Sequence, residues 1–465
     1  MLMRILPKLR KDPYAHARSG KSSWREYQDH LKKCQRPRRT RRWIASGMVL
    51  TAVLAVVFIV QGYFSPSADG RPAPEIVKPA PSLPAHLLIS KQDVRIILEH
   101  SNAQELLDKQ IDLPFKNQRI HVETSLDPEL QSHLDKAMDR KNSRFIGVVV
   151  MEADTGRVLA LAGFNKIAPN NNPCLINAFP AASLFKIVTA AAAVDHCGYN
   201  SNTKMRFNGY KHTLYKRQLK ELVNRYTNTM PFKDCFAQSV NPVFGKIGAL
   251  YLNRIVLEKF AAAFGFNQPI DFELPVKPSH IEIKDDAYQR AEIASGFNYD
   301  TTISPLHAAM MASTVLNDGR MVVPTLVDRI TDENGRLLYE ARTAWQGRAM
   351  SPKASGVLTR LMETTIRSGT GRKVFRNYTR NRILSKLDIG GKTGSISNRD
   401  HDARFDWFVG FANEKKGPAE LIVAALVAHE EYIGRRAGEY AKIAMAYYFQ
   451  SRFARQETSQ SGSGS

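Results

Sequence analysis

Ser183 and Lys186 stand three residues apart in the run Phe179-Pro180-Ala181-Ala182-Ser183-Leu184-Phe185-Lys186. On a helix that spacing places both on one face, one turn from each other. A serine hydroxyl is a weak nucleophile until a neighbour takes its proton, and a desolvated lysine amine can be that base. A second Ser-x-x-Lys, Ser201 and Lys204, follows Gly198 and Asn200 in a polar, turn-like stretch with no buried helix to fix it. A solvated serine and lysine is the ordinary reading of any single match. Two further runs raise Ser183 above that reading. Ser239-Val240-Asn241 offers a hydroxyl and an amide, although taken alone such a run is more often a cap or turn. Lys392-Thr393-Gly394-Ser395 offers a cation and two hydroxyls around a glycine that lets a substrate backbone approach. Arg367-Ser368-Gly369 is a decoy for that run, set aside because it adjoins Gly371-Arg372-Lys373, a loop composition. Together the three runs supply a nucleophile, a base, a proton route and a substrate anchor, the parts acyl transfer needs.

The elements around these runs follow from pattern. Pro180 and the Ala-rich run to Ala193 predict the start of a buried helix, whose N-terminal N–H groups would face charge developing at Ser183. Residues 145–151 and 157–161 are apolar runs about Asp154-Thr155-Gly156 and predict a hairpin. Residues 119–124 alternate like a strand, and Asp127-Pro128 is a helix start. From the nucleophile to about residue 320 the pattern is mainly helical. Residues 388–395, 406–412 and 421–428 then read as strands, and 435–449 as a closing amphipathic helix. Strands at both ends with helices between predict an α+β domain whose antiparallel sheet is completed by the two chain ends.

At all three runs the chain resembles the penicillin-binding, serine D,D-transpeptidase family, over residues 124–449. Residues 148–163, Ile303-Ser304-Pro305-Leu306 and Asp406-Trp407-Phe408-Val409-Gly410 share in the likeness. The resemblance implies the penicilloyl-serine-transferase fold, with a five-stranded antiparallel sheet and helices on both sides. It implies Ser183 as nucleophile and Lys186 as base, kept neutral by burial and by the charge of Lys392. It implies Ser239 as a proton relay between Lys186 and the departing nitrogen, and Asn241 on the substrate backbone. Lys392, Thr393 and Ser395 would hold a terminal carboxylate, with Gly394 giving close approach and the N–H groups of Ser183 and Ser395 forming the oxyanion hole. No cofactor is implied, and no metal-type Cys/His spacing occurs. A class A β-lactamase would add a deacylating glutamate; Glu273-Leu274-Pro275 matches that motif poorly. The entry segment Thr124-Ser125-Leu126-Asp127-Pro128 is similar to that of bifunctional members, but residues 65–120 are too short for a glycosyltransferase domain. The subclass stays open.

The formal charge of +22 is unevenly spread: residues 1–42 hold fourteen Lys or Arg against three acids. A basic tail suggests nucleic acid. Its place directly before residues 43–64, an uncharged apolar stretch ending in aromatics, points to membrane topology instead, with no nucleic-acid partner. As a helix that stretch would be about 33 Å long, enough to cross a bilayer. The positive-inside rule places the tail in the cytoplasm and the rest outside the bacterial inner membrane. A cleaved signal peptide fits less well, because the basic segment is long and no small-x-small site follows. Residues 65–84 carry six prolines and read as a semi-rigid tether, 85–118 as a small membrane-proximal module, 119–452 as the transpeptidase domain, and 453–465 as a flexible tail. Cys34 lies in the basic tail, whereas Cys174, Cys197 and Cys235 lie beyond the apolar stretch, where at most one internal disulfide could form.

The expected function is a single-pass envelope enzyme that cross-links peptidoglycan stem peptides through a Ser183 acyl-enzyme, with β-lactams as inhibitors. With no polymerase domain, its expected partner is a membrane glycosyltransferase. A D,D-carboxypeptidase or endopeptidase would use the same acyl-enzyme, and a non-catalytic scaffold regulating a cell-wall polymerase is the rival from another class.

Overall fold

The computed structural model describes residues 89–99, 108–115 and 118–462. The basic tail, the apolar 43–64 stretch and the Pro-rich tether lie outside the described residues. Among the described residues no helix is long and apolar enough to cross a membrane.

Five strands form the central antiparallel sheet: β1 (Ser143–Glu152), β2 (Val158–Asn165), β3 (Leu387–Ser397), β4 (Arg404–Glu414) and β5 (Glu420–His429). Their order is β3-β4-β5-β1-β2, so the C-terminal strands meet the N-terminal hairpin at the β5–β1 pair. This is the sheet closed by both chain ends that the sequence pattern predicts. In β5 the run Leu421–Ala428 is buried throughout: Ile422, Ala424 and Leu426 enter one core, while Leu421, Val423 and Ala425 enter the other. A strand covered on both faces reads as a continuous apolar run rather than an alternating one.

Eight helices bear on the site: α1 (Pro128–Lys136), α2 (Lys186–Cys197), α3 (Phe232–Ala237), α4 (Asn241–Lys246), α5 (Ala287–Ser295), α6 (Pro305–Leu316), α7 (Pro352–Arg367) and α8 (Ala437–Gly462). Buried residues of α2 and α6 join the larger core with the inward face of the sheet, and those of α1 and α8 fill the second core behind it. Helix α1 starts as its sequence predicts, with the Asp127 carboxylate accepting from the N–H groups of Glu129 and Leu130 at 3.0 Å each. Helix α8 runs further than the 435–449 pattern suggests. Residues 450–457 are mostly good helix formers, and Phe453 continues the buried face, its ring 5.8 Å from that of Phe449.

The stretch expected to be mainly helical is interrupted by a hairpin, Lys204–Phe207 paired with Asn228–Pro231, where Met205 and Phe207 alternate into the core. A four-stranded sheet joins Gln110–Phe115 and Gln118–Thr124 to Val327–Asp332 and Leu337–Glu340, with the helix Lys91–Glu99 contributing Val94, Ile97 and Leu98 to its core. Cys174 and Cys235 are buried free thiols.

Candidate active site

The nucleophile turn is tighter than the expected single helix. Phe179–Pro180 pairs with Thr302–Ile303, Ala181 N donates to Thr301 O at 2.8 Å, and Trp407 Nε1 of β4 donates to Pro180 O at 2.9 Å. Held on both sides, the chain turns through Ala182 at φ +47°, makes a 3₁₀ turn over Ala182–Phe185, and becomes α-helical only from Lys186. A left-handed alanine is strained, and such strain persists only where the surroundings fix it. The turn leaves Ser183 partly exposed while Lys186 is completely buried. Gly296, which caps α5 at φ +66°, makes the close fit possible: a Cβ there would lie 1.8 Å from Ala182 O.

Lys186 Nζ has three polar neighbours: Ser183 Oγ at 2.9 Å, Asn241 Oδ1 at 2.8 Å and Ser295 O at 2.5 Å. The amide of Asn241 is oriented by its other end, since Nδ2 donates to His212 O at 3.0 Å. Asn241 Oδ1 and Ser295 O can only accept, so they take two N–H groups of the amine. The third neighbour, a hydroxyl, can donate. The pocket therefore fits a neutral amine whose lone pair receives the Ser183 proton. Desolvation, followed by the charge of Lys392, lowers the pKa of Lys186 well below that of a free lysine. Lys392 is also fully buried, and desolvation brings it down to about 7. Both effects press on Lys186 and one on Lys392, so Lys186 is the member of the pair that stays neutral.

Ser239, at φ +55°, completes the chain. Its hydroxyl donates to Ser183 Oγ at 2.9 Å and accepts from Lys392 Nζ at 3.1 Å, while Lys392 Nζ also donates to Thr393 O at 2.8 Å. The resemblance implies Ser239 as a relay between Lys186 and the departing nitrogen; in the structure its hydroxyl and Lys186 Nζ both contact Ser183 Oγ, and its other partner is Lys392. Asn241, expected on the substrate, lines the cleft and also holds Lys186 through Oδ1. The structure brings Ser183, Lys186, Ser239, Asn241 and Lys392 into one bonded network. Thr393, Gly394 and Ser395 line the same cleft, of about 480 Å³, on β3, the edge strand of the sheet. Gly394 faces the nucleophile turn, where a Cβ would come 3.4 Å from Ser183 N.

Sequence reasoning missed Thr370. The discarded decoy run leads straight into it, and the loop composition that argued against Arg367-Ser368-Gly369 is what lets the chain bend into the cleft. Gly369 packs against Ala237 O, Thr370 N donates to Ala237 O at 3.0 Å, and Thr370 Oγ1 lies 2.5 Å from Thr393 Oγ1. Thr370 Oγ1 also donates to Ala237 O at 3.2 Å, and its one proton cannot serve both neighbours, so it accepts from Thr393 and fixes the rotamer of that side chain at the cleft wall. Thr370→Val removes that hold and is expected to weaken acylation by carboxylate-bearing donors roughly 3–10-fold, the worth of one hydrogen bond between neutral groups. Thr370→Ser should restore the wild-type rate, and the methyl ester of the same donor should show no loss. Arg404 is a second residue without a sequence signal: its Nε donates to Ser395 Oγ at 2.9 Å from the neighbouring strand.

The other candidates fall away. Ser201 and Lys204 lie at a turn and on a short strand, and Lys204 is exposed. Glu273 is buried with Thr325 and Leu326 N, outside the cleft lining.

A partly exposed serine, a buried amine with an open lone pair and a hydroxyl-rich edge strand define a serine acyl-transfer site on an α+β scaffold. The chain belongs to the penicillin-binding protein transpeptidase domain family, whose model matches residues 146–446. It is similar to penicillin-binding protein PbpB of Mycolicibacterium smegmatis, 25% identical over 59% of this chain and 44% of that protein. It is likewise similar to the peptidoglycan D,D-transpeptidase PbpA of the same organism, 25% identical over 66% of this chain and 67% of the relative. The chain thus spans less than half the length of the first of these relatives. Among solved structures, penicillin-binding protein A of M. tuberculosis as its penicillin G acyl-enzyme superposes with a TM-score of 0.56 at 22% identity, covering 70% of this chain and 79% of that one. The D,D-transpeptidase domain of a peptidoglycan glycosyltransferase from Eggerthella lenta gives 0.59 at 21% identity, over 71% and 83%. These likenesses establish the fold.

Proposed function

We propose that the protein is a peptidoglycan D,D-transpeptidase acting through a Ser183 acyl-enzyme. The observation that carries the reading is the environment of Lys186, where two acceptor-only oxygens leave the lone pair for the Ser183 proton. Ser183 Oγ attacks the penultimate D-Ala carbonyl of a stem peptide, and its proton passes to Lys186. The N–H groups of Ser183 and Ser395 receive the oxyanion, an interaction whose loss in other acyl-transfer enzymes costs about 2.7–4 kcal/mol. As the C–N bond breaks, Ser239 gives its proton to the departing D-Ala and regains one from the lysine pair, which so ends the step with the charge it began with. An amine from a second stem peptide then attacks the ester and regenerates Ser183. Thr393 and Ser395, backed by Lys392 and Arg404, hold the terminal carboxylate. The charge asymmetry about residues 43–64 supports an anchored protein with its catalytic domain outside the membrane, beside a separate glycosyltransferase.

Two measurements test this. A fluorescent penicillin should add one acyl group, found by mass on the peptide containing Ser183. Incubation with a D-Ala-D-Ala peptide and an acceptor amine should then give the cross-linked product; release of D-Ala with water as the only acceptor would make the protein a carboxypeptidase instead.

A further inference from the structure

A second cavity, of about 790 Å³, is lined by residues on either side of the loop that carries Thr370 into the cleft. Arg367, Arg372, Lys373, Arg376 and Arg380 line it, and Lys373 also lines the catalytic cleft. Between Glu363 and Asp388 the chain holds seven Lys or Arg and no acid. Arg367 pairs with Glu363 at 3.2 Å; among the described residues Arg372, Lys373, Arg376 and Arg380 have no carboxylate within ion-pair distance. Free like charges crowded on one short segment repel one another unless an anion joins them.

The segment is also held firmly. Gly371 N donates to Thr365 O at 3.1 Å, Phe375 N to Gly371 O at 3.1 Å, and Lys442 Nζ of α8 to Val374 O at 3.1 Å. Phe375 is buried beneath it, its ring 5.5 Å from that of Phe408 on β4. A charged surface fixed in place before its ligand arrives loses little entropy on binding.

We propose that this basic cavity is an extended subsite for an acidic peptide segment, part of the molecule whose reacting end occupies the cleft. The inference rests on the acyl-transfer reading of Ser183 and adds to it a substrate class: peptides bearing carboxylates away from the D-Ala-D-Ala terminus. Continuity with the cleft through Lys373 favours a peptide already held at its reacting end over an unconnected anion.

The test uses two D-Ala-D-Ala peptides of equal length, one with two carboxylates upstream of the terminus and one with the corresponding amides. Exposed ion pairs are each worth about 1.5–5-fold in affinity, so the wild type should prefer the acidic peptide about tenfold in kcat/KM. That preference should shrink as ionic strength rises from about 0.05 to 0.5 M. Arg376→Glu with Arg380→Glu should abolish or invert it, leaving acylation by a small penicillin within about twofold. Arg372→Gln with Arg380→Gln gives a milder second variant should the charge reversal fail to fold. An unchanged preference in a variant that penicillin still acylates would overturn the proposal. So would an equal loss on both peptides, or loss of binding to phosphatidylglycerol vesicles with the peptide preference intact. Absence of penicillin labelling at Ser183 in the wild type would instead overturn the reading of the catalytic site itself.

Discussion

Ser183→Ala eliminates covalent labelling by penicillin and reduces turnover of a D-Ala-D-Ala peptide to background. No other hydroxyl can take over. Ser239 Oγ is the nearest candidate, but its lone pair is held by Lys392, and its link to Lys186 runs through the Ser183 Oγ that the variant lacks. The main-chain N–H groups of the turn are unaffected, so the variant should still bind a β-lactam non-covalently. The loss is expected to exceed about 10⁴-fold, because groups that act as one unit fail together when one is removed. The folded state should change little, since Ser183 is partly exposed and its neighbours keep their other partners. Equal melting temperatures with labelling in one protein and none in the other is the expected pair of results. Labelling that persists in the variant would move the nucleophile elsewhere.

Lys186→Met lowers the acylation rate by about 10²–10⁴-fold, the usual contribution of a general base. Methionine fills the volume but leaves Asn241 Oδ1 and Ser295 O without their donor, so a loss of stability accompanies the loss of rate. The pH profile separates the two effects. Lys186 works only when neutral, and burial with the nearby Lys392 charge moves its pKa down, so kcat/KM rises with pH as its proton leaves. The alkaline limb belongs to Lys392, which loses its charge at about 7 in the free enzyme. A bound carboxylate favours the ammonium, so the same limb should lie higher in kcat than in kcat/KM. Lys392→Met should remove the alkaline limb and move the acid one to higher pH, because Lys186 loses the charge that helps depress its pKa. Stability carries the matching sign. A lysine whose folded pKa lies below its unfolded value, about 10.4, leaves the unfolded chain holding more protons across that interval. The melting temperature should therefore climb as pH rises from about 7 toward 10, and climb less in Lys392→Met.

The central sheet was legible because its strands are apolar runs bounded by turn residues, and Asp154-Thr155-Gly156 and Asp127-Pro128 mark their local geometry in their own chemistry. The three catalytic runs were legible for a similar reason: Ser183 and Lys186 are neighbours through the chain, and so are Lys392 through Ser395. What failed were inferences from composition about segments fixed by partners far off in sequence. Pro180 with an Ala-rich run looks like a helix start, yet Trp407 and Thr301 hold the chain and force a 3₁₀ turn. Gly-rich residues 369–371 look like a solvated loop, yet Ala237, over a hundred residues earlier, draws them into the cleft.

By itself the sequence determined which residues could do acyl transfer, the α+β layout that carries them, and the apolar stretch ahead of them, because each is written in local type and spacing. Only the tertiary structure decided how protons are shared. The direction of the Asn241 amide, the pairing of Ser239 with Lys392 and the contact of Thr370 with Thr393 all join residues far apart in the chain. A buried amine owes its charge state to whatever surrounds it, and those surroundings exist only once the chain has folded.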